Sequence, residues 1–309
     1  VYIVGNEGHI FDQEMNCFNA CDSYNNINLK KIRRPIPLLA KTINDPIFLL
    51  EGRCPENRGH FLCEHLTRWL LAEKLLKNAK YLILVSSRQK EWQSKYLSLN
   101  GVPEDHIIEA EIGTVFCKEV YYVPLLSSDD TNILGPISLF KEIRSRMIKD
   151  ITNNQKKQRR ILFLSREDAP DRKLLNERKL VSILSEKTGQ DVELLKTGEL
   201  TLHDQIKVFS EASIIVGAHG QPFKNILFSK DLKCLQLING KNNEKNEFKK
   251  WALFYSALGN LNDSNICTID YSDIEVSGAE NWYYPEEKFI TNLNTLLAIP
   301  NHFSQSNNC

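Results

Sequence analysis

The sequence predicts an α/β protein in which parallel strands are layered with helices twice over. Three observations predict it. Short apolar runs alternate with helix-periodic segments from about residue 46 onward. The 309 residues suit two domains of about 150 residues each. Between them, the segment from Thr152 to Arg160 is polar, lacks hydrophobic periodicity and reads as a linker. The expected domains are 1–155 and 156–309, with the last helix as the element that could cross back.

The first fifty residues are Asn-rich and carry a basic run, Lys30 to Arg34, broken by Pro35 and Pro37; they read as loops with a solvated face. Pro46 to Leu50 is an apolar strand, and the loop Glu51–Gly59 leads into a helix from His60 to about Asn78. There Leu62, Leu66, Trp69, Leu70 and Leu76 recur at three- and four-residue spacing. Tyr81–Val85 is a strand, and a charged helix from about Gln89 to Leu99 is closed by Asn100-Gly101. Strand-like runs near Ile107-Ile108 and Val120–Val123 precede a helix from about Ile137 to Ile151. After the linker the alternation restarts. Strands are expected at 161–164, 192–195, 213–216, 234–238 and 266–269. Helices are expected at 170–187, up to 212, and at 221–228, 247–258 and 286–298. Thr201 with Asp204 three residues on has the form of a capping box. The second half therefore reads as a Rossmann-like sandwich and the first as a looser version of the same plan.

Charge and composition exclude some functions. With 39 basic against 39 acidic side chains, the chain lacks the surplus expected of a protein that coats nucleic acid. No run of about 18 apolar residues occurs, so no membrane-spanning helix is expected; peripheral association with a membrane stays compatible. The eight cysteines, at 17, 21, 54, 63, 117, 234, 267 and 309, include no CxxC pair. Cys63 and Cys234 sit in apolar stretches, and Cys17 and Cys21 read as unpaired thiols in preference to a disulfide or metal site. This usage favours a reducing cytosol. Asn262-Asp263-Ser264 is too short a pattern to establish a lumen. The chain opens at Val1, so a removed targeting or anchoring segment would not be visible; had one been present, an ER or Golgi lumen is the alternative.

Three segments could carry chemistry. In the first, an apolar strand ends in Ser165-Arg166, and Pro170 and Arg172 follow where the next helix is expected to begin. Ligands of open α/β sheets bind beyond the carboxyl ends of the strands, and two arginines there would suit a diphosphate. A surface turn with solvated arginines is an equal alternative. In the second, Gly217 and Gly220 flank His219 where a buried strand hands over to a helix. The backbone could then approach a ligand closely and the imidazole could donate to a phosphate; a histidine bonding across a turn would look the same. In the third, His60 and Glu64 are four apart on a helix and share a face. Either could take a proton from a hydroxyl, and a capping or solvated role is the alternative. His60, Glu64 and His65 do not make the HExxH zinc pattern. No GxGxxG follows an expected strand, which argues against a dehydrogenase.

Together these segments resemble glycosyltransferase family 61, whose members include bacterial capsular polysaccharide enzymes, plant xylosyl- and arabinosyltransferases and animal N-acetylglucosaminyltransferases. Asn57, Gly59, His60 and Glu64 meet one family pattern, with Glu64 where Asp is commoner. Ser165, Arg166, Arg172, Asn176 and Glu177 meet a second. Gly217, His219, Gly220 and Asn225 meet a third in part, with Gln221, Pro222 and Phe223 replacing Ala, Gly and Leu. Gln236 stands where Glu is common, and Ala257-Leu258-Gly259 also fits. The resemblance runs from about Gly52 to about Ile269.

It implies a GT-B architecture, two Rossmann-like domains facing across a cleft with the nucleotide held mainly by the second. It also implies an inverting transfer from a nucleotide sugar, expected to be a UDP-sugar, to a glycan or glycolipid acceptor. No metal or other cofactor is expected, and no Asp-x-Asp motif is present. His60 or Glu64 would be the general base. Ser165, Arg166, Arg172, Asn176, Gly217, His219, Gly220, Asn225 and Gln236 would hold the donor. The expected setting is the cytoplasm, at the inner face of a membrane. A catalytically degenerate glycan- or nucleotide-binding module of a polysaccharide assembly complex is the alternative.

Overall fold

The structure, a computed structural model, describes residues 1–4, 9–14, 16, 40–50, 57–77, 79–86, 90–110, 114–127, 134–149, 151, 159–243, 245–262, 264–274 and 280–300. The Lys30–Arg34 run, Cys17, Cys21, Cys54, Cys309 and linker residues 152–158 lie outside them. The chain divides into two compact units, Val1–Ser128 with Gly135–Met147, and Asp129–Leu134 with Ile148–Cys309.

The first unit contains two four-stranded sheets. In one, β1 (Tyr2–Val4) pairs antiparallel with β2 (His9–Phe11) and with β7 (Thr114–Cys117), which runs parallel to β3 (Lys41–Ile43). The other is parallel, in the order β6-β5-β4-β8, from β4 (Ile47–Leu49), β5 (Leu82–Ser86), β6 (Ile107–Ala110) and β8 (Val120–Tyr121). Ile3, Ile10, Ile47, Leu49, Leu84, Val115 and Cys117 form one core between them. The mixed sheet corrects the expectation of a looser Rossmann plan. Its strands have three or four residues each, too few for a period to show, and β1 finds its register 114 positions away, Tyr2 against Phe116.

A continuous helical run follows β4: α1 (Arg58–His60), a π-helical turn (Phe61–His65) and α2 (Leu66–Leu75). Asn57 caps it, its Oδ1 accepting from the amides of Gly59 and His60 at 2.9 and 3.2 Å. The unit also contains α3 (Lys90–Leu99) and most of α4 (Ile137–Ile148).

The second unit is a five-stranded parallel sheet in the order β10-β9-β11-β12-β13, from β9 (Arg160–Leu164), β10 (Val192–Leu195), β11 (Ala212–Ala218), β12 (Lys233–Ile238) and β13 (Ile266–Tyr271). Counted from β9 this is the order 2-1-3-4-5, a doubly wound sheet whose direction of winding reverses between β9 and β11. Successive strand residues face opposite sides. Phe163, Val216, Leu235 and Leu237 join Leu180, Leu184, Phe289 and Leu293 of α5 (Glu177–Thr188) and α8 (Glu286–Ala298) in one core. α6 (Leu202–Glu211) and α7 (Lys249–Gly259) pack with the 3-10 helix Gln221–Phe228. The N-cap half of the expected capping box is present, Thr201 Oγ1 accepting from the Asp204 amide at 3.1 Å, while Asp204 Oδ2 accepts from the Thr201 hydroxyl at 2.6 Å.

Two expectations need correction here. Arg160 belongs to β9, not to a linker, and pairs with Glu193 at 2.7 Å and Glu211 at 2.8 Å. The helix expected from Pro170 starts at Glu177. Arg172 has φ +54, a left-handed conformation incompatible with a right-handed helix, and Leu174 bridges to Trp282 instead. Among the described residues no helix is long and apolar enough to cross a membrane.

Candidate functional site

Chemistry-bearing side chains gather at two places, one in each unit. In the first unit, β4 delivers the chain from the carboxyl edge of its parallel sheet to the helix capped by Asn57. His60 ends α1 and Glu64 lies in the π-helical turn, a rare conformation that concentrates at functional sites. His60 Nδ1 donates to Glu64 Oε1 at 2.8 Å. The two residues are 4% and 0% exposed, and Glu64 Oε2 is buried with no hydrogen-bond partner. In the neutral imidazole this arrangement leaves the lone pair on Nε2.

The helix is held against the sheet by a second pair of residues that the sequence did not single out in this role. His65 Nδ1 donates to the Leu50 carbonyl at 3.0 Å. Arg68, 1% exposed, donates to the carbonyls of Leu49, Leu50 and Val123 and stacks over Tyr122. Its signal was a charged residue inside the Leu-rich stripe, where burial demands partners.

In the second unit, the loops after β9 and β11 leave the sheet at the point where its winding reverses, the usual ligand position of such sheets. Ser165 and Arg166 follow β9; His219 and Gly220 follow β11. Glu177, at the start of α5, shapes the first loop. It accepts from Ser165 Oγ at 2.6 Å and from the Arg166 amide at 3.2 Å, and burial pushes its carboxyl above the ordinary range. Ser165 thus faces Glu177 and the Glu167 amide.

Arg166 and Arg172 are neighbours and share one carboxylate. Asp171 Oδ1 lies 3.4 Å from Arg166 Nη2 and 3.3 Å from Arg172 Nε. Arg166 Nε is buried without a hydrogen-bond partner, and burial, then the Arg172 charge, pull its guanidinium below the ordinary arginine value. Arg172 lies over the Phe248 ring at 5.1 Å. The segment Asn281–Tyr284 braces this loop. Asn281 Oδ1 accepts from the Lys173 amide, Trp282 exchanges backbone bonds with Lys173 and Leu175, and its indole donates to the Arg172 carbonyl at 3.3 Å. Asn176 trades two bonds with the Tyr284 backbone, which engages the side chain expected at the donor.

The two glycines differ. A Cβ on Gly217 would lie 2.6 Å from the Leu164 carbonyl oxygen, so this glycine lets β11 approach β9 rather than a ligand. A Cβ on Gly220 would lie 2.5 Å from Arg166 Nη1, so this one makes room for the guanidinium. His219 stacks on Tyr255 at 5.1 Å and on Trp251 at 6.3 Å between ring centroids. Its Nδ1 lies 3.1 Å from Oε1 of Gln236. Gln236 is fully buried, beneath the histidine and not at a surface. Asn225 donates to Gln205 Oε1 at 3.2 Å, tying the 3-10 helix to α6. Lys224, 1% exposed, places its ammonium 5.4 Å from the same Tyr255 ring; a lysine within the run Pro222–Phe228 was the available signal.

The structure therefore brings Arg166, Arg172, His219 and Gly220 to one edge of one sheet. It sets Ser165, Asn176, Asn225, Gly217 and Gln236 behind them. Among the described residues no group of three or more His, Cys, Asp or Glu side chains is placed to hold a metal ion, and Cys63, Cys117, Cys234 and Cys267 are buried thiols. Compared with known families, the chain matches the model described as Glycosyltransferase 61 over residues 59–235, more than half its length. No curated protein matches it.

Proposed function

We propose, because the chain belongs to glycosyltransferase family 61, that it is an inverting, metal-independent transferase that moves a sugar from a UDP-sugar to a hydroxyl of a glycan acceptor. Membership itself implies glycosyltransferase activity, and with it a sugar donor and a glycan acceptor. The observation that carries the finer reading is the pair of guanidiniums sharing Asp171, with the buried Nε of Arg166 unpartnered. Two cations with one partly exposed carboxylate between them suit a second anion, and a diphosphate presents two.

The acceptor oxygen attacks the anomeric carbon from the face opposite the diphosphate. As the new C–O bond forms, the bond to the diphosphate breaks, its electron pair leaves with UDP, and configuration inverts. The acceptor proton passes to His60 Nε2. His60 is favoured over Glu64 as the base because Glu64 is wholly buried and its Oε1 already accepts from the imidazole. Glu64 orients the ring and stabilises the imidazolium that forms. Arg166 and Arg172 stabilise the charge developing on UDP, the task a metal ion would otherwise perform. In this reading the architecture is of the GT-B type, with residues 1–155 serving the acceptor and 156–309 the nucleotide. Ser165, Asn176, Asn225 and Gln236 position the donor site from behind.

Incubating the purified chain with a panel of UDP-sugars tests this. UDP release that persists in EDTA, with NMR showing an inverted anomeric configuration in the product, is the expected result. Absence of both UDP binding by calorimetry and UDP release from every donor in the panel would overturn the reading.

A further inference from the structure

Gln236 lies within β12, on the side of the sheet that faces α7, and its carboxamide has two distinguishable ends. One end is 3.4 Å from the Ala252 carbonyl and 3.2 Å from the Ser256 hydroxyl. A carbonyl can only accept, so this end is the NH2 group. The other end is then the amide oxygen, also acceptor-only, and it lies 3.1 Å from His219 Nδ1. Nδ1 must carry the proton. In the neutral ring Nε2 is then a lone pair.

Three cationic side chains stand near the ring. Arg166, after β9, reaches Gly220 beside the histidine. Arg172 stands over Phe248, whose ring is 5.9 Å from His219. Lys224, on the 3-10 helix, shares the Tyr255 ring with it. Tyr255 on α7 stacks on the imidazole ring. Gln236 itself brings a dipole and no charge.

We infer that Gln236 is a positioning residue that holds His219 as its Nδ1–H tautomer, so that Nε2 accepts a hydrogen bond from a hydroxyl of the sugar nucleotide instead of donating one to its diphosphate. The ligand in this statement rests on the donor reading above; the tautomer does not. The inference reverses the role expected for His219 from sequence, and it gives the amide at position 236 a chemical meaning. A carboxylate there would stabilise the imidazolium and turn Nε2 into a donor.

The test is nitrogen-15 NMR of the full chain labelled at histidine, with His219 assigned from the signals missing in His219→Ala. The free protein should show His219 as Nδ1–H. Gln236→Met, close in volume but without an acceptor, should let the Nε2–H tautomer appear. Gln236→Glu should raise the midpoint of His219 titration by about 1 to 2 pH units. Should Gln236→Met not fold, Gln236→Glu and the unmutated chain suffice. Saturating UDP should perturb Nε2 and leave Nδ1 protonated. An Nε2–H ring in the free protein, or an unmoved midpoint in Gln236→Glu, overturns the tautomer assignment. UDP that drives both nitrogens to the protonated state overturns the acceptor role. No response of His219 to UDP overturns the assigned contact together with the nucleotide reading, while the free-protein spectrum still decides the tautomer.

Discussion

In the first unit an imidazole and a carboxylate meet at 2.8 Å with 4% and 0% exposure; in the second, two guanidiniums share at 3.3 and 3.4 Å a carboxylate whose side chain is 46% exposed. The first arrangement is a hydrogen-bonded imidazole and carboxylate that keeps one ring lone pair on offer. The second sets two guanidiniums against one half-exposed carboxylate, with the Asp168 charge also acting on Arg166. An imidazole backed by a carboxylate is suited to taking a proton, because the carboxylate stabilises the imidazolium that forms. Two adjacent guanidiniums are suited to holding an anion, because their planar forks match phosphate oxygens. Damage to the first should therefore appear in turnover and damage to the second in affinity.

The sharpest way to break that division is His60→Ala. Loss of a general base costs about 10²–10⁴-fold in rate, so turnover should fall by that factor while UDP affinity, read by calorimetry, stays within about twofold. An equal loss in both quantities would merge the two roles. Arg166→Ala should do the reverse in emphasis. A hydrogen bond to a charged group is worth about 1.5–3 kcal/mol, so Kd for UDP should rise about 10- to 100-fold; unchanged affinity would remove Arg166 from the diphosphate.

The glycines sharpen the second site from within. Gly217→Ala drives a Cβ against backbone that cannot yield, and overpacking of that kind costs about 1–3 kcal/mol, to be seen as a lower Tm. Gly220→Ala meets only the far end of a flexible guanidinium, so Tm should hold and UDP affinity should fall several-fold. The reverse pattern would mean that Gly220 is structural.

The smallest effect concerns pH. Burial holds the Glu177 carboxyl above its ordinary value of 4.5. The folded state then binds this proton more tightly than the unfolded one, so the Glu177 contribution to stability falls as pH rises from about 4.5 through the folded pKa. In Glu177→Gln the Tm profile should lose that decline. A profile parallel to that of the unmutated chain would mean that burial does not control this carboxyl.

Much of the second unit was legible because its signals are local. Five apolar runs marked five parallel strands, and glycine and histidine at a strand end marked the edge that matters. What escaped was set by distant partners. The start of α5 was misplaced because Trp282 holds Leu174 and Arg172 out of the helix, and no pattern near residue 170 encodes that tie. The roles of Gly217 and Gly220 differ only in what lies opposite each, Leu164 or Arg166. Gln236 fitted a donor position by resemblance, yet its place beneath His219 follows from strand alternation plus a helix ten or more residues later. In the first unit His60 and Glu64 were readable as an i, i+4 pair, whereas the π-helical turn that carries Glu64 leaves no mark in residue spacing. The short strands of the mixed sheet were invisible for a related reason, since three residues show no period.

The brace formed by Asn281–Tyr284 has a consequence for how the molecule is born. A ribosome makes Arg172 110 residues before the tryptophan that fixes its carbonyl. At about 5–20 residues per second, the arginine loop exists for roughly 5 to 20 seconds with its clamp not yet synthesised. A chain halted before Asn281 would carry both guanidiniums with Asp171 and Phe248 but without the brace that fixes the backbone of their loop, so a prematurely terminated chain should hold UDP far less tightly than the full one.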